Sequence, residues 1–270
     1  MRAYRIAYDG QPYHGFQRQP DVRTVEGELL SALDALEVTD GETPPGYAAA
    51  GRTDAGVSAV AQTVAFDAPE WLSPAAFNSE LPPSIRAWAS ADVPPEFHAT
   101  HHATGREYTY FLHAGDASES LARRALDALS GEHDFHNLTP DESATRRDLS
   151  TTLDCDDQFF VLRFRASGFP RQFVRRGVAV VADVARERRE PGYVDRVLSD
   201  ESLSGPDGVG PAPAPPLVLT AVSYPDIRFI EDGDAASRTR GLFDDLRVER
   251  AAGARVAGVL ARGSEDSDSR

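Results

Sequence analysis

Apolar residues recur with the same order of strand-like and helix-like spacing in both halves of this 270-residue chain, and this repeat constrains the fold most. In the first half the pattern predicts strands at Arg2–Tyr8, Tyr47–Ala50, Val60–Phe66 and Ile85–Ala91. One helix can begin at Thr24, a favourable cap, and another at Ser73–Pro74, where Pro takes the first helical position. The first half thus predicts β-α-β-β-α-β, the order of a ferredoxin-like unit.

The second half repeats that order. Strands are predicted at Arg106–His113, Thr145–Asp154, Gln158–Ala166 and Leu217–Tyr224, and helices near Leu121–Ser130 and Pro170–Arg188. We therefore predict an α+β protein in which two ferredoxin-like βαββαβ units form one extended, mostly antiparallel sheet with helices packed on one face. The predicted units are 1–104 and 105–247, followed by a polar, partly disordered tail at 248–270.

The charge of the sequence is unusual, because the formal net charge is −15 and all 28 basic residues are Arg. A dense acidic surface keeps a protein soluble and hydrated where salt screens charge. The composition therefore predicts a halophilic source with a cytoplasm of high ionic strength. A GC-rich genome, which favours Arg over Lys, is a second explanation and is compatible with the first.

One stretch departs from this acidity. A nucleic-acid-binding surface is usually basic, so the overall charge argues against such a partner. Between Arg163 and Arg189, however, eight Arg stand against two acidic residues, Asp183 and Glu187. The stretch is either reserved for an anionic partner or is a helix with a solvated basic face, and by itself the second explanation is the simpler one.

The remaining composition predicts a soluble cytoplasmic protein. Cys155 is the single cysteine, which excludes an intrachain disulfide and a cysteine metal cluster. The first ten residues lack the apolar core of a signal peptide, and no apolar run approaches membrane-spanning length.

The segment Gly51–Ala59 is the strongest candidate for chemistry. Its two glycines permit a tight loop between strands, and small residues around Asp54 leave room for a substrate. Arg52 could hold Asp54 ionised and oriented, and an ionised carboxylate in a pocket can act as a nucleophile or a base. From spacing alone, an Asp that caps backbone N–H groups in a turn is the more common interpretation.

The residues GRTDAGV that begin at Gly51 are very similar to the signature of the tRNA pseudouridine synthase A family, which modifies the anticodon arm. Other segments resemble motifs of the same family in the same order, from residue 1 to about 225. They are Tyr8–Gly10 with Tyr13–Gln19, Thr24–Glu26, Leu81–Arg86, Phe97–Ala99, Arg106–Tyr110, Asp134–Phe135, Phe169 with Phe173–Arg175, and Val222–Pro225. Each motif alone is weak, but their combination is specific.

The resemblance implies a role for each matching residue. Asp54 corresponds to the catalytic nucleophile, Arg52 to an Arg of the same loop, Tyr108 to a tyrosine that contacts the target uridine, and Arg175 to the partner of the catalytic Asp. It further implies isomerisation of uridines 38, 39 and 40 of tRNA, no cofactor or metal, and a homodimer that binds one tRNA across both subunits. Ser58 departs from the family, which commonly has His there.

Physical arguments accompany these roles. The ring of Tyr108 could stack on a flipped-out base, although a tyrosine in a sheet core fits the pattern equally well. Arg175 precedes a strongly apolar helix segment, where an Arg is costly to bury unless it is paired. Arg171 and Arg176, from the Arg-rich stretch, are the predicted RNA-binding residues.

Two other functions are compatible with parts of the sequence. A non-catalytic RNA-binding module could use the same sheet architecture. A metal-dependent hydrolase could use His98, His101 and His102, although no Cys or carboxylate stands at ligand spacing beside them. We expect these histidines to have a structural or RNA-facing role.

Overall fold

The computed structural model describes residues 1–266, and its elements follow the predicted order. The first unit contains β1 (Arg2–Tyr8), α1 (Val25–Ala35), β2 (Ala48–Ala49), β3 (Ser58–Phe66), α2 (Pro74–Phe77) and β4 (Ile85–Asp92). The second contains β5 (Gly105–His113), α3 (Glu119–Leu129), β6 (Gly131–Asp134), β7 (Arg146–Asp156), β8 (Phe159–Ala166), α4 (Phe173–Ala185), α5 (Tyr193–Val197) and β9 (Leu217–Ser223). The short β6 and α5 are additions to the predicted set.

A further short strand, β10, is Ile230–Glu231. The ten strands found within residues 1–266 join one sheet in the order β10-β4-β1-β3-β9-β5-β8-β7-β6, with β2 paired to β3. Within each unit the strands take the ferredoxin-like order, β4-β1-β3-β2 in the first and β9-β5-β8-β7 in the second. The units meet where β3 pairs with β9, which is parallel, whereas their internal pairings are antiparallel. This confirms the predicted α+β architecture.

Local sequence signals account for the helices that cover the sheet. The Thr24 hydroxyl accepts the Gly27 N–H at 3.2 Å at the start of α1, and the Ser73 hydroxyl accepts the Ala76 N–H at 3.1 Å at the start of α2. Each unit has its own hydrophobic core between sheet and helices, and Tyr108 packs against both cores. The seam between the units is therefore where a side chain can contact both halves.

The C-terminal segment differs from the prediction. A helix α6 (Gly233–Asp266) occupies most of the range predicted as a partly disordered tail, and residues 267–270 lie outside the described part. Asp232 caps its start by accepting the Ala235 N–H at 3.1 Å. β10 pairs with β4 and α6 packs on β4, so this segment, assigned by sequence to the second unit, lies against the first.

α6 also changes the expected layering. Ala7, Val60 and Trp88 line a cavity of about 710 Å³ together with residues of α6. Ala7 alternates along β1 with the core residues Ile6 and Tyr8, so it lies on the opposite face of the sheet. Helices therefore lie on both faces, which corrects the prediction of one covered face.

Arg250 fixes the middle of α6 to the body through a 2.7 Å ion pair with the buried Asp9. Beyond it, the described side chains are mostly exposed, including the apolar Val256 and Leu260. Within residues 1–266, no helix combines the length and apolar character needed to cross a membrane.

Candidate active site

The loop between β2 and β3, which carries Asp54, is held in shape by the segment that follows β1. The Phe16 N–H donates to the Thr53 carbonyl at 3.0 Å, and the Gly56 N–H donates to the Tyr13 carbonyl at 3.3 Å. The hydroxyls of Tyr8 and Thr53 share a buried hydrogen bond of 2.7 Å. The loop is therefore a fixed platform, because both its backbone and a buried side chain beside Asp54 are bonded to neighbouring segments.

Close approach explains the glycine of the Tyr8–Gly10 motif. A Cβ atom at Gly10 would lie 2.1 Å from the carbonyl oxygen of Val57, which no real contact allows. The Gly10 N–H donates to the Ser58 hydroxyl at 3.0 Å, so Ser58 connects this turn to the end of the Asp54 loop. This contact gives a structural role to Ser58, which stands where the family that the sequence resembles commonly has His.

Asp54 and Arg175 form the central ion pair of the site, as predicted. Nη1 of Arg175 lies 2.9 Å from Oδ2 of Asp54, and the side chains are only 16% and 28% exposed, respectively. Nε of Arg175 donates to the Ala212 carbonyl at 2.7 Å, which fixes the plane of the guanidinium. The pairing places a positive charge beside the carboxylate and fixes its direction.

The contribution of the Gly- and Pro-rich loop before β9 was not predicted. In this loop, Ala212 makes two hydrogen bonds with Arg175. Its carbonyl accepts from the Arg175 side chain, and its N–H donates to the Arg175 carbonyl at 3.0 Å. Ala214 of the same loop lies close to Gly56: a Cβ atom added at Gly56 would be 3.4 Å from the Cβ atom of Ala214. The loop thus lies between α4 and the Asp54 loop, a long-range contact that no local sequence pattern indicates.

Arg52 does not orient Asp54, so that expectation was wrong. Its side chain is exposed and makes no hydrogen bond or ion pair within residues 1–266. Arg175 occupies the place next to the carboxylate, and Arg52 points into solvent beside it.

Tyr108 brings a half-buried phenol side chain to the site from β5. Its ring contacts Phe169 edge-on, with 5.4 Å between the centroids. Burial raises the pKa of Tyr108 to about 12, and the negative charge of Asp54 adds to this rise. The phenol is therefore protonated near neutral pH. Among the described residues its hydroxyl has no hydrogen-bond partner, so it is available to a bound molecule.

These groups can support nucleophilic or general-base chemistry. Asp54 is a carboxylate fixed by one cation yet still 28% exposed, so a substrate can reach it. The phenol of Tyr108 lies near enough to respond to its charge.

The Arg-rich stretch does not form one basic surface. Arg163 and Arg165 alternate along β8 with the core residue Phe164, which packs under Gly177 of α4, so they lie on the sheet face away from α4. Arg171 is exposed, with Asp141 at 3.5 Å. The Arg residues of this stretch therefore lie on different sides of the sheet.

Arg176, the second predicted RNA-binding residue, is bound within the chain. Its Nη1 donates to the Val209 carbonyl at 2.5 Å, and Nε and Nη2 donate to Oε1 of Gln172. Of the two predicted residues, Arg171 is the exposed one, and its side chain forms the ion pair with Asp141.

The histidines after Phe97 support their own loop. Nδ1 of His102 accepts the His98 N–H at 2.8 Å, and Nδ1 of His98 accepts the Thr100 N–H at 3.2 Å. The rings of His98 and His101 contact each other with centroids 4.1 Å apart and planes tilted by 35°. In residues 1–266, no three His, Cys, Asp or Glu side chains converge as metal ligands.

Comparison with known proteins gives a consistent result. A family profile described as tRNA pseudouridine synthase matches residues 125–225. The chain is 57% identical over 262 residues to tRNA pseudouridine synthase A of Halobacterium salinarum, covering 96% of this chain and 98% of the relative. Identity is 57% over 274 residues with the Haloarcula marismortui protein of that name, covering 97% and 100%. It is 35% over 247 residues with that of Archaeoglobus fulgidus, covering 90% and 91%.

Proposed function

The chain belongs to the tRNA pseudouridine synthase A family, and we propose that it isomerises uridine to pseudouridine at positions 38, 39 and 40 of tRNA, in the anticodon stem and loop. The observation that carries this proposal is the Asp54 carboxylate held by Arg175 beside the protonated Tyr108. A non-catalytic RNA-binding module would have no use for this arrangement.

The test is mass-spectrometric mapping of pseudouridine in unmodified tRNA incubated with and without the purified protein. The proposal predicts new pseudouridine at positions 38–40 only when the protein is present. Binding of tRNA with no new pseudouridine would favour the non-catalytic alternative. Pseudouridine at other positions would support the proposed reaction but contradict the proposed target positions.

The reaction breaks the N1–C1′ bond, rotates the uracil and joins C5 to C1′; the proton leaves C5 and N1 gains one. Asp54 acts as the nucleophile, attacking either C1′ or C6, and a base then removes the C5 proton. The uridine must leave its stack to reach this site, and water must be excluded, because hydrolysis would cleave the sugar–base bond permanently. Tyr108 supplies a ring for stacking and a free hydroxyl.

We predict that Tyr108→Phe slows isomerisation more than it weakens tRNA binding. The ring and its contact with Phe169 survive, while the hydroxyl that is free to bind the substrate is lost. The single-turnover rate constant at saturating tRNA should fall by about 10–100-fold, the effect of losing about one to two hydrogen bonds to the reacting base. Tyr110→Phe, on the same strand, is the control. An unchanged rate constant would show that the hydroxyl is dispensable.

We further propose that Arg171 and Arg52 contact the tRNA backbone, because both are exposed on segments that carry the site. Each phosphate contact releases counterions, so affinity falls as salt rises. In a salt-rich cytoplasm that contribution is weak, and stacking and bidentate bonding by Arg must supply more of the affinity.

Arg171→Gln should flatten the salt dependence of tRNA affinity, reducing the slope of log affinity against log salt by about 1. Arg176→Gln should change that slope little, because its guanidinium is bound to Val209 and Gln172. Arg188→Gln, an exposed Arg beyond the end of α4, is the control. If a salt titration gives wild-type slope for Arg171→Gln, that side chain does not contact phosphate.

We propose that the protein works as a homodimer in which the outer part of α6 supplies contact surface. Val248, Val256, Val259 and Leu260 form one stripe of the helix and are 53–71% exposed. A monomer rarely exposes such a row of apolar side chains. In a dimer with two-fold symmetry, each subunit would cover this row of its partner.

Val256→Asp with Leu260→Asp should therefore convert a dimer to a monomer, as measured by light scattering in high salt. Trp71→Asp changes an equally exposed apolar side chain elsewhere and should leave the mass unchanged. A monomeric wild type would overturn the dimer, and a dimeric double variant would place the contact elsewhere.

The proposed location is the cytoplasm, where tRNA is modified, and the relatives from Halobacterium and Haloarcula support a salt-rich cytoplasm.

A further inference from the structure

Arg106, the second residue of β5, donates hydrogen bonds to four backbone carbonyl groups. Nη1 lies 3.2 Å from the Ala103 oxygen and 2.5 Å from the Ser167 oxygen. Nη2 lies 2.7 Å from the oxygens of Ala50 and Thr100. Within residues 1–266 no carboxylate pairs with it, and burial lowers the pKa of its guanidinium. Arg106 is half-buried, and a cation that is partly removed from water and compensated only by carbonyl dipoles is costly, which indicates a specific use.

The carbonyls belong to segments that carry the site. Ala50 immediately precedes the loop of Asp54. Ser167 begins the connector to α4, which contains Phe169, the ring against Tyr108. Arg106 itself stands two residues before Tyr108 on β5. One planar group thus connects the catalytic loop, the strand of the phenol and the connector to the helix of Arg175.

We propose that Arg106 is a positioning residue of the reaction. Its guanidinium group, through the four carbonyls that it binds, sets the distance between Asp54 and Tyr108. The proposal rests on the proposed function, since it assigns these two side chains to one reaction. A guanidinium suits this role because its five donors lie in a rigid plane, whereas a Lys ammonium is a compact point donor that cannot span the same carbonyls. Arg106 touches no substrate, so its effect should fall on rate and not on affinity.

Arg5 provides a matched control. It is also a half-buried Arg with no carboxylate partner within residues 1–266, and it also crosses the seam, donating to the carbonyls of Ala61 at 3.1 Å and Val222 at 2.7 Å. Burial lowers the pKa of Arg5 as well. None of its partners lies in the catalytic loop or in the connector to α4. Arg5→Lys should therefore cost stability without disturbing the site.

The test compares Arg106→Lys and Arg5→Lys by melting temperature, tRNA affinity and single-turnover rate constant at saturating tRNA. We expect Arg106→Lys to lower the rate constant by about 100-fold, the effect of misplacing reacting groups by about 1 Å. The tRNA affinity of Arg106→Lys should stay within about threefold of the wild-type value, a difference in binding free energy smaller than that of one hydrogen bond. Arg5→Lys should keep a rate constant within about threefold of wild type at a similar loss of melting temperature.

A second variant covers the case in which Arg106→Lys does not fold. In Arg106→Ala, added guanidinium ion should restore part of the rate constant and ammonium ion should not, at concentrations that leave the melting temperature unchanged. Equal rate constants for the two Lys variants, or equal effects of the two ions, would overturn the positioning role. An inactive wild type would instead overturn the proposed function itself.

Discussion

Asp54→Asn should abolish pseudouridine formation, lowering the single-turnover rate constant by at least about 10⁴-fold, as loss of a nucleophile does in other enzymes. The amide has nearly the shape of the carboxylate and is held by the same loop, but it carries no charge and cannot form the covalent intermediate. tRNA affinity should remain nearly that of wild type, because the exposed Arg side chains and the ring of Tyr108 are unchanged.

The control for this variant is Asp154→Asn, which also removes the carboxylate of an Asp–Arg pair, but on the exposed sheet face. It should retain full activity. Asp54→Ala guards against recovery of Asp by deamidation of the introduced Asn. Activity of Asp54→Asn and Asp54→Ala within tenfold of wild type would end the assignment of Asp54 as nucleophile.

Arg175→Ala should damage both the fold and the site. Removing one partner of a largely buried ion pair costs about 3–5 kcal/mol and leaves Asp54 without its cation. For a chain of this size the melting temperature should fall by about 2–4 °C per kcal/mol. The variant also loses the bond to the Ala212 carbonyl, which connects α4 to the loop beside Gly56.

Arg175→Lys separates the two effects. It retains the positive charge and should recover most of the stability, but one ammonium cannot reproduce the fixed plane that joins Asp54 and Ala212. Its rate constant should therefore stay about 100-fold below wild type. Arg163→Ala, which breaks an exposed pair, should change the free energy of unfolding by less than about 1 kcal/mol. A fully active, stable Arg175→Ala would show that the ion pair is incidental.

The sequence predicted the fold well where structure depends on local patterns. The spacing of apolar residues and the caps at Thr24 and Ser73 specified the order of elements, and two βαββαβ units imply one shared sheet. α6 was missed, although Asp232 caps it and Ala235, Ala236 and Thr239 form its buried stripe. Its glycines and dense charge obscured that periodicity.

The site was predictable only in part, because its geometry depends on contacts between distant segments. The motif around Asp54 and the position of Arg175 resemble the family, and the structure brings them together. The outward direction of Arg52 and the internal bonds of Arg176 follow from packing, which one-dimensional spacing does not contain. The same holds for the four carbonyls around Arg106, which come from three separate segments.

The most direct measurement is release of tritium to solvent from tRNA that carries [5-³H]uridine, incubated with stoichiometric protein in high salt. Joining C5 to C1′ must expel the C5 hydrogen, so the wild-type chain should release tritium, and Asp54→Asn should not. A tRNA with cytidine at positions 38–40 should release none with either protein. Tritium release by wild type and Asp54→Asn at the same rate, or none by a folded wild type that binds tRNA, would contradict a pseudouridine synthase acting through Asp54.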